Sequence, residues 1–388
     1  MNNNDDRIMD LRVAWMADIF DEVSGVITDT IEFYEMAQKK GIPWYPVSTY
    51  NKDLYPFYNF STLVKLPTGS FYKGTNIRVP LFSSIVNYLI KHRVNVIVSN
   101  TPAAMGLVAM AAARFLNIPW VDIYHTDVDF YMDTLSSKWI KPFTQSPALF
   151  FVKMYQKQAD LIFVRTQEYF DLMVKKGHSP DKIRFFPAGV NARVFHPDNQ
   201  NRDIWRRYGI SPEKTIVIFV GRITKVKDID FVLNAMRTEK YENTELVLIG
   251  GGPESEKYQR EYAGSKNIHF LGVKTGDELR QLYASSDLYV LPSASETLGK
   301  TVLESLASGV PVLVSDKGGP KEYVTHGKNG FIFKAKDESD FVRLFSSLMQ
   351  DTSQLAKARK NAVSSILDHT DEKLFNTFTG EISRLVFA

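Results

Sequence analysis

What most constrains this chain is an alternation that runs along it and starts over once. Short apolar runs rich in branched residues are each followed by a stretch whose apolar residues recur at helical spacing. Residues 11–16 (LRVAWM), 94–99 (VNVIVS), 120–124 (WVDIY) and 159–165 (ADLIFVR) read as strands, and 26–40, 103–116 and 167–176 as helices. After a polar stretch at 196–202 (HPDNQNR) the rhythm restarts with 215–220 (TIVIFV), 245–249 (ELVLI), 268–271 (IHFL), 288–291 (LYVL) and 312–314 (VLV). Strand and helix in turn predict a parallel sheet covered on both faces. The expected class is therefore α/β, with two Rossmann-like doubly wound domains. The expected divisions are 1–197, 198–370 and a terminal helix at 371–388, able to pack back on the first domain. Ligands of such sheets bind beyond the carboxyl ends of the strands, and two sheets in tandem would set those ends facing across a cleft.

Composition narrows the functional classes. At 388 residues the chain can bury two cores, and 44% hydrophobic with 23% charged residues is ordinary for a water-soluble fold. A net charge of +3 lacks the basic excess of a duplex-binding protein, so nucleic acid is not an expected partner. Cysteine is absent, which excludes disulfides, thiolate catalysis and cysteine-ligated zinc or iron–sulfur sites. The opening MNNNDDRIMD is polar and acidic rather than basic and then apolar, and the most apolar stretch, 103–116, is interrupted by Arg114. The expectation is a cytoplasmic chain, free or lying at the inner face of a membrane.

Chemistry concentrates in two segments that follow strands of the second half. In 288–323 (LYVLPSASETLGKTVLESLASGVPVLVSDKGGPKEY) a buried strand ends at Pro292, Glu296 sits in the loop beyond it, and Gly299 precedes a stretch of helical composition. Glu296 and Glu304, spaced E-x7-E, bracket the start of that helix. A helix N-terminus presents unpaired N–H groups and positive dipole, which suits a diphosphate, and carboxylates on either side can accept hydrogen bonds from sugar hydroxyls. The second segment, 219–228 (FVGRITKVKD), carries Arg222 and Lys227. A guanidinium fork and an ammonium after one strand can hold a diphosphate and neutralise it as it leaves.

These segments, together with LVLIGGGP at 246–253, HFLG at 269–272 and FFPAGVNARVFHP at 185–197, resemble the retaining glycosyltransferases of family 4, with the GT-B fold. The likeness extends over nearly the whole chain and is densest from 185 to 333. The resemblance implies that Glu304 holds a nucleotide ribose and that Glu296, Thr297, Leu298 and Gly299 hold the donor sugar, partly through backbone N–H groups. It implies that Arg222 and Lys227 hold the diphosphate and that Val273 lies near the base. It further implies same-face transfer from a nucleotide diphosphate sugar, UDP-hexose being favoured, with the leaving phosphate helping to take the acceptor proton. Two positions depart from the family pattern. Where Glu-Lys-Gly is common, this chain has Val226, Lys227 and Asp228, and Lys300 follows Gly299 where smaller or uncharged residues are common.

In the first half, Gly25 in DEVSGV lies between strand and helix, where the resemblance implies backbone approach to the donor phosphate. His125 and Asp127 lie in YHTD, just past the WVDIY strand. His125 is expected to touch donor sugar or acceptor, joining Arg222, Lys227 and Glu296 as the catalytic set, and Asp127 to touch the acceptor. No metal and no cofactor beyond the donor is expected. DVD at 127–129 has metal-motif spacing, but the two cations and the resemblance favour a metal-free diphosphate site. Residues 54–121 contain no Asp or Glu yet hold Lys65, Lys73, Arg78, Lys91, Arg93 and Arg114 among many aromatics. Such a stretch suits anionic lipid, and equally an aromatic core under a basic solvated face; the resemblance implies that the first domain binds the acceptor, a membrane lipid or a glycan. Two other readings fit the same scaffold: a nucleotide-sugar 2-epimerase, and a non-catalytic nucleotide-sugar binder.

Overall fold

The computed structural model describes residues 7–18, 25–49, 56–67, 76–101, 103–124, 154–237, 241–296 and 298–388. Its branched apolar runs form strands with no polar alternation because helices cover both faces of each parallel sheet. In the first half these are β1 (Val13–Met16), β2 (Trp44–Ser48), β3 (Tyr58–Asn59), β4 (Thr62–Pro67), β5 (Asn76–Pro80), β6 (Val96–Ser99), β7 (Trp120–Tyr124), β8 (Leu161–Val164) and β9 (Ile183–Phe185). Seven of them pair in the order β3-β2-β1-β6-β7-β8-β9, every pairing parallel. The order reverses between β1 and β6, the switch point at which open α/β sheets bind ligands. β4 and β5 leave this sheet as an antiparallel pair with Val64 opposite Val79. Alternate residues of β1 serve opposite faces: Val13 and Trp15 join one core, Ala14 and Met16 the other.

The second half holds β10 (Thr215–Val220), β11 (Thr244–Ile249), β12 (Ile268–Gly272), β13 (Leu288–Leu291), β14 (Val312–Ser315) and β15 (Gly330–Phe333). They pair in the order β12-β11-β10-β13-β14-β15, again all parallel, with the switch point between β10 and β13. The loops carrying Arg222, Lys227 and Glu296 therefore leave two adjacent strands at the switch.

Contacts divide the chain into two compact units, 1–186 with 374–388, and 187–373. The first division falls earlier than position 197 because Ala188 and Val190 already belong to the second unit's core. Val190 N donates to His369 O at 2.9 Å and Asp371 N to Val190 O at 3.2 Å, so this unit's first and last segments are tied together. The terminal helix Asp371–Val386 turns Leu374, Phe375, Phe378 and Ile382 into the first unit's core. There Phe378 meets Trp15 at 5.7 Å, Phe33 at 5.3 Å and Phe163 at 4.6 Å between ring centroids. Each such ring contributes roughly 1.5–3 kcal/mol by burial, enough to fix the helix to this unit.

Candidate functional site

The site is built at the carboxyl ends of β10, β11 and β13. After β10 the chain runs through Gly221 and the exposed Arg222 to Ile223, which is buried and donates its N–H to Gly251 O at 2.9 Å. That contact requires the glycines of LIGGGP. A Cβ on Gly250, whose φ is +144°, would stand 1.9 Å from Gly221 O. Lys225–Lys227 then makes one 3-10 turn, and Asp228 closes it with φ 51°.

The loop after β13 carries Glu296, whose main-chain oxygen accepts from Gly319 N at 2.9 Å. Its carboxylate forms an ion pair with Lys227 Nζ, and both side chains are about four-fifths buried, at 20% and 22% exposure. The structure thus joins the two segments singled out from sequence by a direct contact. Gly299 precedes the helix Lys300–Ala307 in the left-handed region (φ 67°, ψ 36°) and, having no side chain, supplies no cap bond of its own. A Cβ there would lie 2.8 Å from Pro320 Cγ, so the turn into the helix needs glycine. The helix start follows Glu296 by a few residues in the chain, and a helix N-terminus near a carboxylate and an ammonium is suited to an anion flanked by hydroxyls.

Glu304, one turn into the helix, accepts from Tyr283 Oη at 2.9 Å. Burial pushes its carboxyl above the ordinary glutamate range, against the Tyr283 bond and the Lys300 charge, both of which lower it. Lys300 therefore acts electrostatically on Glu304. Beneath the same helix Tyr289 Oη lies 2.7 Å from Thr301 Oγ1. Burial, then the Glu304 charge, pushes the Tyr283 hydroxyl upward, so it remains a donor to the carboxylate. Tyr283 and Tyr289 were not legible as site residues, because in sequence they are ordinary core aromatics of a helix and a strand. Val273 follows β12 with 72% exposure, and Leu298 is half-buried against the core. Thr297, His125 and Asp127 lie outside the described residues, and Gly25 opens the helix Gly25–Lys39.

The first unit, taken by itself, buries polar residues that sequence reasoning did not single out. Asp18, just past β1, accepts from Thr101 Oγ1 at 2.6 Å and from Met105 N at 3.1 Å, capping the helix Ala104–Leu116 from another element. Burial pushes its carboxyl up to about 6 against those bonds. Asp122 in β7 is 2% exposed and accepts from Ser99 Oγ at 3.1 Å and Tyr155 Oη at 3.3 Å; burial pushes it up to about 7. Asn100, 1% exposed at the end of β6, has neither amide atom paired among the described residues.

The basic surface expected over 54–121 needs correction. Arg78 is buried at 8% exposure, and Phe57 and Phe60 are core residues, because β5 and the loop before β4 fold inward. Lys73 lies outside the described residues. Lys65, Lys91, Arg93 and Arg114 are exposed, as are Leu63 (64%), Phe82 (37%) and Phe115 (68%), with Phe82 and Phe115 rings 6.0 Å apart. Among the described residues no helix is long and apolar enough to cross a membrane.

Two family models match the chain: one described as Glycosyl transferases group 1 over residues 200–364, the other as Glycosyltransferase Family 4 over 43–194. The sulfoquinovosyl transferase of Arabidopsis thaliana is 30% identical over 286 residues, 72% of this chain and 55% of that protein, so the match spans about half the plant protein's length. The GDP-mannose-dependent alpha-mannosyltransferase of Corynebacterium glutamicum is 27% identical over 389 residues, covering 95% of this chain and 87% of the relative. The alpha-monoglucosyldiacylglycerol synthase of Acholeplasma laidlawii is 26% identical over 356 residues, 88% of each. The solved structure of HepE from Anabaena in complex with UDP-glucose superposes with a TM-score of 0.71 at 17% identity, over 97% of this chain and 100% of that one, a likeness of fold.

Proposed function

The chain belongs to the family 4 glycosyltransferases with the GT-B fold, and on that premise we propose that it moves a hexosyl group from a nucleotide diphosphate sugar to an acceptor hydroxyl. The observation that carries this reading is the Lys227–Glu296 ion pair, with the helix that starts after Gly299 following Glu296 in the chain and Glu304 one turn into it. A diphosphate entering there takes Lys227, Arg222 and the helix N–H groups, all donors to negative charge. Glu296, released from Lys227, is free to accept from sugar hydroxyls, and Glu304 to accept from the ribose.

In this reading the bond between the anomeric carbon and the β-phosphate oxygen breaks, and its electron pair leaves with the nucleoside diphosphate. The acceptor oxygen bonds to the same face of that carbon, retaining the configuration. Its proton passes to the departing phosphate oxygen. Arg222 and Lys227 neutralise the growing charge without a divalent cation. UDP-hexose is the favoured donor, in keeping with the UDP-glucose complex of HepE, although the Corynebacterium relative is named for GDP-mannose.

The acceptor side belongs to the first unit. A lipid acceptor at an anionic membrane surface is supported by the exposed Lys65, Lys91 and Arg93 and the exposed Leu63, Phe82 and Phe115 of the same unit, and by the glycolipid in the Acholeplasma relative's name. A panel of UDP- and GDP-hexoses, incubated with and without diacylglycerol-containing vesicles, tests the proposal. Acceptor-dependent release of nucleoside diphosphate, with a glycoside of unchanged anomeric configuration by NMR, is expected. Free epimerised sugar, or binding without turnover of any donor, would replace it with the epimerase or the binder.

A further inference from the structure

The residue after Lys227 is an aspartate in a backbone conformation that suits glycine. Asp228 has φ 51° and ψ 33°, a region aspartate enters at a cost of about 1 kcal/mol. Its carboxylate is 12% exposed and receives Lys336 Nζ on both oxygens, at 2.6 and 2.7 Å. Lys336, in the turn between β15 and the helix Glu338–Gln350, is itself left-handed, with φ 61°. Two of the non-glycine residues with positive φ are thus paired with each other. The same segment is stitched to the Glu296 loop: Val226 O accepts from Ser293 Oγ at 2.8 Å, and Asp228 Oδ2 accepts from Ala294 N at 3.4 Å.

An uncompensated carboxylate next to a phosphate-binding lysine opposes the ligand that the lysine attracts. Asp228 is too buried for water to screen it fully, so a counter-ion from the protein is required. We propose that Lys336 is a positioning residue for the donor diphosphate: it neutralises Asp228, so that the 226–228 segment presents Lys227 as a net cation on a loop held against Glu296. The inference rests on the assignment of Lys227 to the diphosphate.

The test is calorimetric binding of uridine diphosphate and guanosine diphosphate to the full chain, at low and high salt. Lys336→Met should weaken binding about five- to tenfold at low salt, and less at high salt where charges are screened. Asp228→Gly placed in the Lys336→Met background removes the orphaned charge and suits the backbone. That double variant should recover most of the loss. A merely structural Lys336 would leave the double variant as weak as the single, which overturns the proposal. So does unchanged binding by Lys336→Met, provided that Lys227→Ala weakens it. If Lys227→Ala has no effect, the diphosphate assignment itself fails and the proposal falls with it. Thermal melting of each variant separates these outcomes from unfolding.

Discussion

Replacing Asp122 by Asn should stabilise this protein at pH 8 and leave it unchanged or weaker at pH 4. Asp122 is 2% exposed, and burial pushes its carboxyl from 3.8 up to about 7 against the bonds from Ser99, Tyr155 and Gln156. The folded chain therefore holds a proton there that the unfolded chain releases. Stability from this group is complete below pH 4, falls as pH rises from about 4 to about 7, and is lost above. At 1.36 kcal/mol per unit, the difference corresponds to about 4 kcal/mol, an upper figure for a site that can relax. The amide keeps an acceptor oxygen for Ser99 and Tyr155, and once the Gln156 amide that donates to the carboxylate turns over, the new NH2 can donate to Gln156 Oε1, a buried atom with no partner among the described residues. Burying the amide has its own cost, so the expected net gain at pH 8 is about 1–3 kcal/mol. Urea unfolding followed by tryptophan fluorescence at unit steps from pH 4 to 8 measures it, with Trp120 reporting from the same cluster at 2.9 Å from Ser99 Oγ. Wild type and Asp122→Asn profiles that run parallel across that range would refute the reasoning.

Glu304→Ala should weaken nucleoside diphosphate binding with or without the sugar, whereas Glu296→Ala should weaken the sugar-bearing donor more; equal losses for both ligands in both variants would dissolve that division. Tyr283→Phe removes the hydroxyl 2.9 Å from Glu304 and should loosen nucleotide binding by several-fold, about 1 kcal/mol for one hydrogen bond to a carboxylate, as calorimetry would show. Turnover should survive a strong chelator, and loss restored by magnesium or manganese would point to carboxylates not assigned above. Vesicle flotation should show binding that needs anionic lipid, falls with salt, and weakens when Lys65, Lys91 and Arg93 together become Ser, each cation adding about 1 kcal/mol at the surface; indifference of the wild type to anionic vesicles at low salt would favour a soluble acceptor.

Much of the fold was legible because buried parallel strands leave a strong signature. TIVIFV and LYVL read as strands and are β10 and β13, and WVDIY is β7. What escaped has physical reasons. β2 (WYPVS) contains Pro46, the antiparallel β4–β5 pair is bounded by prolines and lies off the main sheet, and β3 and β9 are too short to show a period. The terminal helix could be read, but its home among Trp15, Phe33 and Phe163 depends on contacts far apart in sequence. At the site, charge types and spacing pointed to Arg222, Lys227, Glu296 and Glu304. Neither the Lys227–Glu296 pairing nor Tyr283 and Lys336 could be read, because each partner arrives from a different element. Asp228 was visible as a departure from glycine, and its left-handed backbone gives that departure a structural meaning.

The measurement that bears most directly on the account is acceptor-dependent release of nucleoside diphosphate, in chelator, by wild type, Arg222→Ala and Lys227→Ala. The wild type should turn over, and each variant, melting like the wild type, should be slower by roughly 30- to 1,000-fold at saturating donor, corresponding to about 2–4 kcal/mol of lost stabilisation of the departing diphosphate. Near-normal rates for both variants would contradict the account, because the negative charge would then be received somewhere other than beside the Gly299 helix start.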